Sequence, residues 1–241
     1  KAPDWALPSG TVELAEPFYW LGDQIAVDLT GARAVFTTQS AGNLGLLTGD
    51  PEVPEHRARL AQRLGVGFAW RKQVHGNRVD QVAAPTDPQA PWIEADGVLA
   101  RTPGVAPLVL AADCLPIVIS DGRSVVALHA GWHGLEDGVI ASGVEAMSPA
   151  GYLSAAIGPG AGPCCYEVGD ELRARFSSYG AEHGANLDLK KIARAQLHAA
   201  GVRDIHDVGI CTICAEPGRL FSHRRDHGST GRQAGIGWLT S

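Results

Sequence analysis

The sequence predicts an α+β fold, and three observations predict it. Two apolar, β-rich runs, Pro107 to Ile119 and Val125 to His129, lie at its centre. Helical spacing followed by a stop signal occurs only in separated segments. The strands and helices alternate without the regular βαβ rhythm of a doubly wound sheet. With 241 residues the chain can bury a substantial core, and no repeat, low-complexity tract or linker divides it. One domain spanning residues 1–241 is expected.

In chain order, Phe18 to Trp20 and Ala34 to Thr38 read as short strands around a turn at Gly31, followed by a loop at Asn43 to Leu46. Pro54 to Leu64 carries apolar residues at helical spacing, and Gly65 supplies the cap that stops it. Phe68 to Val74 reads as a strand ending at His75-Gly76-Asn77, a turn signal. Another strand starts at Ala95 to Leu99. After His129 the chain turns tightly through Ala130 to Gly134. Leu135, Val139, Ile140, Val144 and Met147 then recur as one helix that Pro149 ends. Backbone N–H groups of that turn would lie near His129, where an anion can be held.

Ala155 to Ile157 reads as a strand opening into a Gly/Pro-rich loop from Gly158 to Tyr166. Val168 to Phe176 and Leu187 to Ala200 read as helices, the second stopped by Gly201. Ile205 to Cys211 and Phe221 to His223 read as strands, Arg224 to Arg232 as a polar loop, and Ala234 to Leu239 as the terminal strand.

Composition excludes several classes. A net charge of −6 without a basic stripe argues against a nucleic-acid partner. No run reaches the roughly 18 to 20 uncharged apolar residues of a membrane helix. Lys1 to Trp20 holds three acids and three prolines where a leader peptide needs an apolar core. A cytoplasmic protein without membrane contact is expected. Five cysteines, two of them adjacent, read as reduced thiols and not as a disulfide framework.

Asp113-Cys114 puts a charge and a thiol inside the most apolar segment, and His129 ends the next apolar run. His75, at a strand tip, can join them. Their separations, 39 and 15 positions, are far from zinc-knuckle spacing, so only the fold can build the site. Three ligands of mixed N and S type with one place left open is the pattern of catalytic zinc. The alternative is a buried structural cysteine with two hydrogen-bonded histidines. Cys211-x-x-Cys214 has no second CxxC beside it, so structural thiols are expected there, and a packing role for Cys164-Cys165. A multicopper oxidase reading of HAGWHG fails on ligand count: nine histidines in all, no HxH pair and one methionine. The signature of zinc base deaminases is absent too. Arg224, Arg225 and Arg232, near Ser222 and Ser229, form either a phosphate clamp or a solvated loop.

The segments QVHGNRV (73–79), ADGVLARTPGVAPLVLAADCLPIVISD (95–121), VVALHAGWHG (125–134), AAIGPGAGPCCYEVGDEL (155–172), DVGICTIC (207–214) and FSHRRDHGSTGRQ (221–233) stand in an order that resembles the YfiH-like, laccase-domain family of multifunctional purine nucleoside phosphorylases. The resemblance implies β-sheets packed between helical layers, an αββα-type sandwich. It implies zinc, with copper as the alternative metal, held by His75, Cys114 and His129. It also implies phosphorolysis of adenosine, inosine, guanosine and methylthioadenosine, with purine nucleoside and phosphate as partners and adenosine deamination beside it. Some members are linked to keeping peptidoglycan precursors free of wrong amino acids, and an older assignment is copper polyphenol oxidase. The chain departs from the family pattern at Gln39, where an arginine is usual, and in the short step from Gly42 to Asn43-Leu44-Gly45.

On this reading Asp113, Cys114 and His227 are the catalytic candidates, Asp113 and His227 as acids for the departing base. Gln73, Gly131, Trp132, Arg225 and Arg232 are the substrate-binding candidates. A metal-free rival is a thiol hydrolase or amidase with Cys114 as nucleophile, His129 as base and Asp113 or another acceptor orienting it, a reading encouraged by the family fold's relation to a Cys-His deamidase toxin. A further alternative is a module that binds metabolite or zinc without catalysis.

Overall fold

The computed structural model describes residues 13–240. The first twelve residues, part of the stretch examined for a leader core, lie outside it, as does Ser241. Strands β1 (Tyr19–Leu21), β2 (Gln24–Leu29) and β3 (Ala32–Phe36) form an antiparallel meander, with Gly31 at φ 59 in the second turn. Residues 24–29 were not expected as a strand. Helix α1 (Val53–Leu64) ends on Gly65 at φ 70, whose N–H donates to the carbonyls of Ala61 and Gln62, as its cap predicts. Strand β4 (Gly67–Ala69) stops well before Val74, and β5 (Val79–Val82) and β6 (Gly97–Ala100) follow.

The run from Pro107 to Ile119 is two strands, β7 (Val105–Ala111) and β8 (Leu115–Ser120), which belong to different sheets. The chain crosses between them at Ala112-Asp113-Cys114, with Asp113 in the left-handed region at φ 90. Strand β9 (Val125–Ala130) leads into α2 (Trp132–Glu136) and α3 (Val139–Met147). One helix was expected there; Gly138, at φ 82, breaks it in two.

Strand β10 (Ser154–Ile157), helix α4 (Asp170–Arg175), a small hairpin of β11 (Glu182–His183) and β12 (Asn186–Leu187), and helix α5 (Leu189–Ala199) come next. The Asp188 carboxylate caps α5 by accepting from Lys191 N at 2.9 Å, and Gly201, just past the helix, sits at φ 88. Strand β13 (Asp204–Asp207) is shorter than expected, and residues 221–223 are loop and turn, not strand. Strand β14 (Gln233–Leu239) closes the chain.

Two six-stranded sheets result, ordered β1-β2-β3-β14-β7-β4 and β13-β10-β8-β9-β6-β5. Most pairs are antiparallel; β4–β7, β5–β6 and β10–β13 are parallel. The period-two alternation of each strand sorts its residues between layers. Val98, Val118, Val125 and Ala127 face the other sheet and meet Ile25, Val27, Phe36 and Val109. Their neighbours Leu99, Ile117, Ile119, Val126 and Leu128 face α2, α3 and α5. Across the first sheet, Val35, Leu108, Ile236 and Trp238 pack towards Leu60 of α1. The layers are therefore helix, sheet, sheet, helix, the αββα sandwich expected from the resemblance.

Two glycines let the sheets close on each other. A Cβ at Gly237 would lie 2.5 Å from Val118 Cγ1, and one at Gly235 2.5 Å from Pro116 Cβ. Among the described residues no helix is long and apolar enough to cross a membrane.

Candidate metal centre

The chain passes from the first sheet to the second twice near one point, between β4 and β5 and between β7 and β8. His75 lies on the first crossing and Cys114 on the second. His129 lies in β9, paired with Pro116 of β8. The sandwich thereby brings one ligand atom from each of His75, Cys114 and His129 within 4.8 Å of one another. The two imidazoles meet edge to face, with centroids 4.9 Å apart.

Asp96, at the start of β6 and fully buried, organises the group. Its Oδ1 accepts from His129 Nδ1 at 2.8 Å and from His75 N at 3.0 Å. Its Oδ2 accepts from Val74 N at 2.9 Å and Gly76 N at 2.8 Å. The His75 turn, itself left-handed at φ 63, is thus clamped to the same carboxylate that fixes the His129 ring. With Nδ1 so occupied, Nε2 of His129 is left for a metal, the arrangement in which an outer carboxylate orients a histidine ligand. Burial raises the Asp96 pKa, but the bonds from His129 and the backbone outweigh it and hold the carboxyl below the usual aspartate range.

Burial also pushes the Cys114 thiol up, yet the attraction of His129 and hydrogen bonds from both imidazoles bring it down to about 6. Burial pushes His129 down, and Cys114 and Asp96 lift it to about 9. The donor set therefore fits a divalent metal of borderline softness: a ready thiolate, two imidazoles and an oriented tautomer.

Gly131, the N-cap of α2, is the wall of this group. A Cβ there would lie 2.9 Å from Cys114 Sγ and 3.4 Å from His75 Cδ2, so any larger residue must displace the thiol. Trp132, the next residue, stacks on His133 with centroids 3.4 Å apart. Gln73 turns its amide to the backbone of β7, donating to Leu110 O and accepting from Leu110 N, both at 2.7 Å. Asp113 is buried, and its carboxylate accepts from Thr212 Oγ1 at 2.6 Å and Arg224 N at 2.7 Å. Arg225 donates to the carbonyls of Thr212 and Leu220 and pairs with Asp226, and Arg232 donates to the carbonyls of Thr230 and Gly231. The structure places both as braces of the 220–232 loop. His227 is exposed in that loop at φ 51. Among the described residues four non-glycine residues have positive φ, and three of them, His75, Asp113 and His227, are residues singled out from the sequence.

Two residues near the centre carried no role in the sequence reading. Asp96 has the same signal as Asp113, an acid inside an apolar β segment. Tyr166 is close enough to Cys114 and Asp113 for their charges to raise its pKa; burial is the larger cause, and together they take it to about 12. The guanidinium carbon of Arg224 lies 5.2 Å from the Tyr166 ring centroid. No feature of the local sequence signals that contact.

Residues 33–240 match the family model described as multi-copper polyphenol oxidoreductase laccase. The chain belongs to this laccase-domain, YfiH-type family. It is 36% identical to a purine nucleoside phosphorylase of Xylella fastidiosa, over 98% of this chain and 95% of that one. It is 38% identical to a purine nucleoside phosphorylase of Pseudomonas aeruginosa, over 86% of this chain and 93% of the other. The hypothetical protein YfiH of Bacillus licheniformis superposes with a TM-score of 0.83 at 28% identity, covering 94% of this chain and all of that one. Protein NMB0706 of Neisseria meningitidis does so with 0.79 at 29%, covering 91% of this chain and all of that one. Among the described residues of this family member, two groups of metal-capable side chains converge: the His75–Cys114–His129 centre and a set of four cysteines.

Proposed function

We propose that the chain is a zinc-dependent purine nucleoside phosphorylase acting on adenosine, inosine, guanosine and methylthioadenosine, with adenosine deamination as a second activity of the same centre. One observation carries the reading: two imidazoles and a thiolate converge, with Asp96 orienting one of them, in a chain whose relatives bear the name purine nucleoside phosphorylase. A bound zinc supplies a Lewis acid that neutralises an anionic reactant or acidifies water. Phosphate serves phosphorolysis and hydroxide serves deamination.

The chain's own groups do the rest. Arg224, beside Tyr166, adds positive charge near the centre, where a phosphate benefits from it. Tyr166 stays neutral across the physiological range and can donate a hydrogen bond to the substrate. Asp113 ties the 212 and 224 segments to the crossing that carries Cys114, which positions the thiolate. His227 and Asp113 are the candidate acids for the departing purine, and both of Asp113's oxygens already accept hydrogen bonds, which favours His227.

The test is a nucleoside panel incubated with and without phosphate and read by chromatography. Free base and ribose 1-phosphate are expected only with phosphate. Base release at full rate from metal-free protein would refute the proposal.

A second reading has its own observation. Cys114, His129 and Asp96 also form the thiolate, imidazole and carboxylate series of a thiol hydrolase. Elemental analysis separates the two. Metal-free protein that keeps its activity and loses it to iodoacetamide favours the thiol.

A further inference from the structure

Four of the five cysteines take no part in the centre described above. Cys164 and Cys165 lie in the loop after β10, and Cys211 and Cys214 in the loop after β13. Because β10 and β13 pair in parallel, both loops leave the same end of the sheet. The pairing continues past the strands: Gly160 bridges to Cys211, and Thr212 N donates to Gly160 O at 3.0 Å. This brings all four sulfurs within 4.8 Å of one another. Cys164 Sγ lies 3.6 Å from Cys214 Sγ and 3.5 Å from Cys165 Sγ.

Two simpler accounts do not fit. Packing does not explain the cluster, since Cys164 and Cys214 are exposed. A disulfide needs sulfurs about 2.0 Å apart. In contrast, four thiolates around a tetrahedral zinc at about 2.3 Å stand roughly 3.8 Å from each other. The observed separations sit beside that value. The Cys-x-x-Cys turn is also shaped as zinc knuckles are. Gly162 N donates to Cys211 Sγ at 3.2 Å, and the N–H groups of Ile213 and Cys214 point at the same sulfur. Backbone donors of this kind hold a thiolate that a metal shares.

We propose that Cys164, Cys165, Cys211 and Cys214 form a second, structural metal site that binds one zinc ion through four sulfurs. The ion staples the 158–168 loop to the 208–216 loop. Thr212, inside the knuckle, donates to Asp113 next to Cys114, so the staple also steadies the catalytic crossing. The proposal stands whether or not the His75–Cys114–His129 centre holds metal.

The test uses the full chain purified with a reductant. A His75→Ala/His129→Ala variant, with the first centre dismantled, should keep one zinc per chain, and its X-ray absorption should show sulfur alone at about 2.3 Å. Cys164→Ser/Cys214→Ser should lose that zinc and keep any held by the first centre. Should the serine variant fail to fold, the wild type answers: a mercurial should release zinc in step with loss of these thiols. Three results would each overturn the proposal. They are a His variant without zinc but with all five thiols titrating freely, a Cys–Cys disulfide found by mass, and iron in place of zinc.

Discussion

Asp96→Asn isolates the carboxylate that joins both histidines. The substitution keeps the shape and replaces one oxygen by an NH2 group. Each oxygen of Asp96, itself fully buried, accepts two N–H donors, so whichever is replaced, two part-buried or buried donors lose their acceptor and face another donor. At about 1–3 kcal/mol per buried unsatisfied group, the protein should lose roughly 2–6 kcal/mol, a large part of an ordinary domain's stability. Metal affinity should fall about 10- to 100-fold, the usual consequence of losing an outer carboxylate on a histidine ligand.

The acid dependence follows from linkage. Asp96 titrates below its ordinary value when folded, so its stabilisation is present above the unfolded pKa and disappears as pH drops through the folded one. The gap between wild type and variant should narrow in acid. Urea unfolding of metal-free protein, with zinc competition against a chromophoric chelator, measures both quantities. Equal midpoints and equal zinc affinity for the two proteins would show that Asp96 does not organise the centre.

Other outcomes are expected from the same geometry. In metal-free protein the Cys114 thiolate and His129 imidazolium stabilise each other between about pH 6 and pH 9. That contribution is lost below the thiol's pKa and above the imidazole's, so iodoacetamide labelling of Cys114 should rise with a midpoint near 6 and Cys114→Ser should flatten the stability profile. Gly131→Ala should leave the fold intact but push Cys114 and His75 apart, lowering zinc content and turnover by up to about 100-fold. Leu128→Ala, fully buried between the second sheet and α3, should cost about 2–5 kcal/mol in urea unfolding without changing the metal spectrum. Lys190→Met removes a buried ammonium that donates to Asp207 at 3.0 Å and Ile210 O at 3.1 Å. Arg194 still pairs with Asp207, so the loss should stay near the lower end for a broken buried pair, about 3 kcal/mol by thermal unfolding.

Local chemistry made much of the chain legible. Gly65 and Gly201 stop helices where their backbone freedom predicts, and β8 and β9 were visible as continuous apolar runs. The misreadings have physical causes too. The run from Pro107 to Ile119 looks continuous because a strand buried on both faces shows no polar alternation, so the step from one sheet to the other leaves no trace except Asp113. The helix expected from Leu135 to Met147 keeps its apolar spacing across Gly138, and spacing does not report a left-handed residue. Strand β14 reads as a terminal strand, but it pairs inside the first sheet between β3 and β7, and its glycines let the second sheet approach it.

The residue types alone determined that His75, Cys114 and His129 were worth following, because a thiol and imidazoles in apolar β segments are costly unless something binds them. The order of the motifs along the chain resembled the laccase-domain family, and that resemblance implied the αββα sandwich. Only the tertiary structure decided that Asp96 carries both histidines, that Arg225 and Arg232 brace their own loop, and that four cysteines separated by up to 50 positions share one point. Chemical identity is written residue by residue, whereas convergence depends on which strands pair. Pairing partners here stand up to about two hundred positions apart along the chain, as in the bond from Ala234 N to Thr37 Oγ1 between β14 and the end of β3.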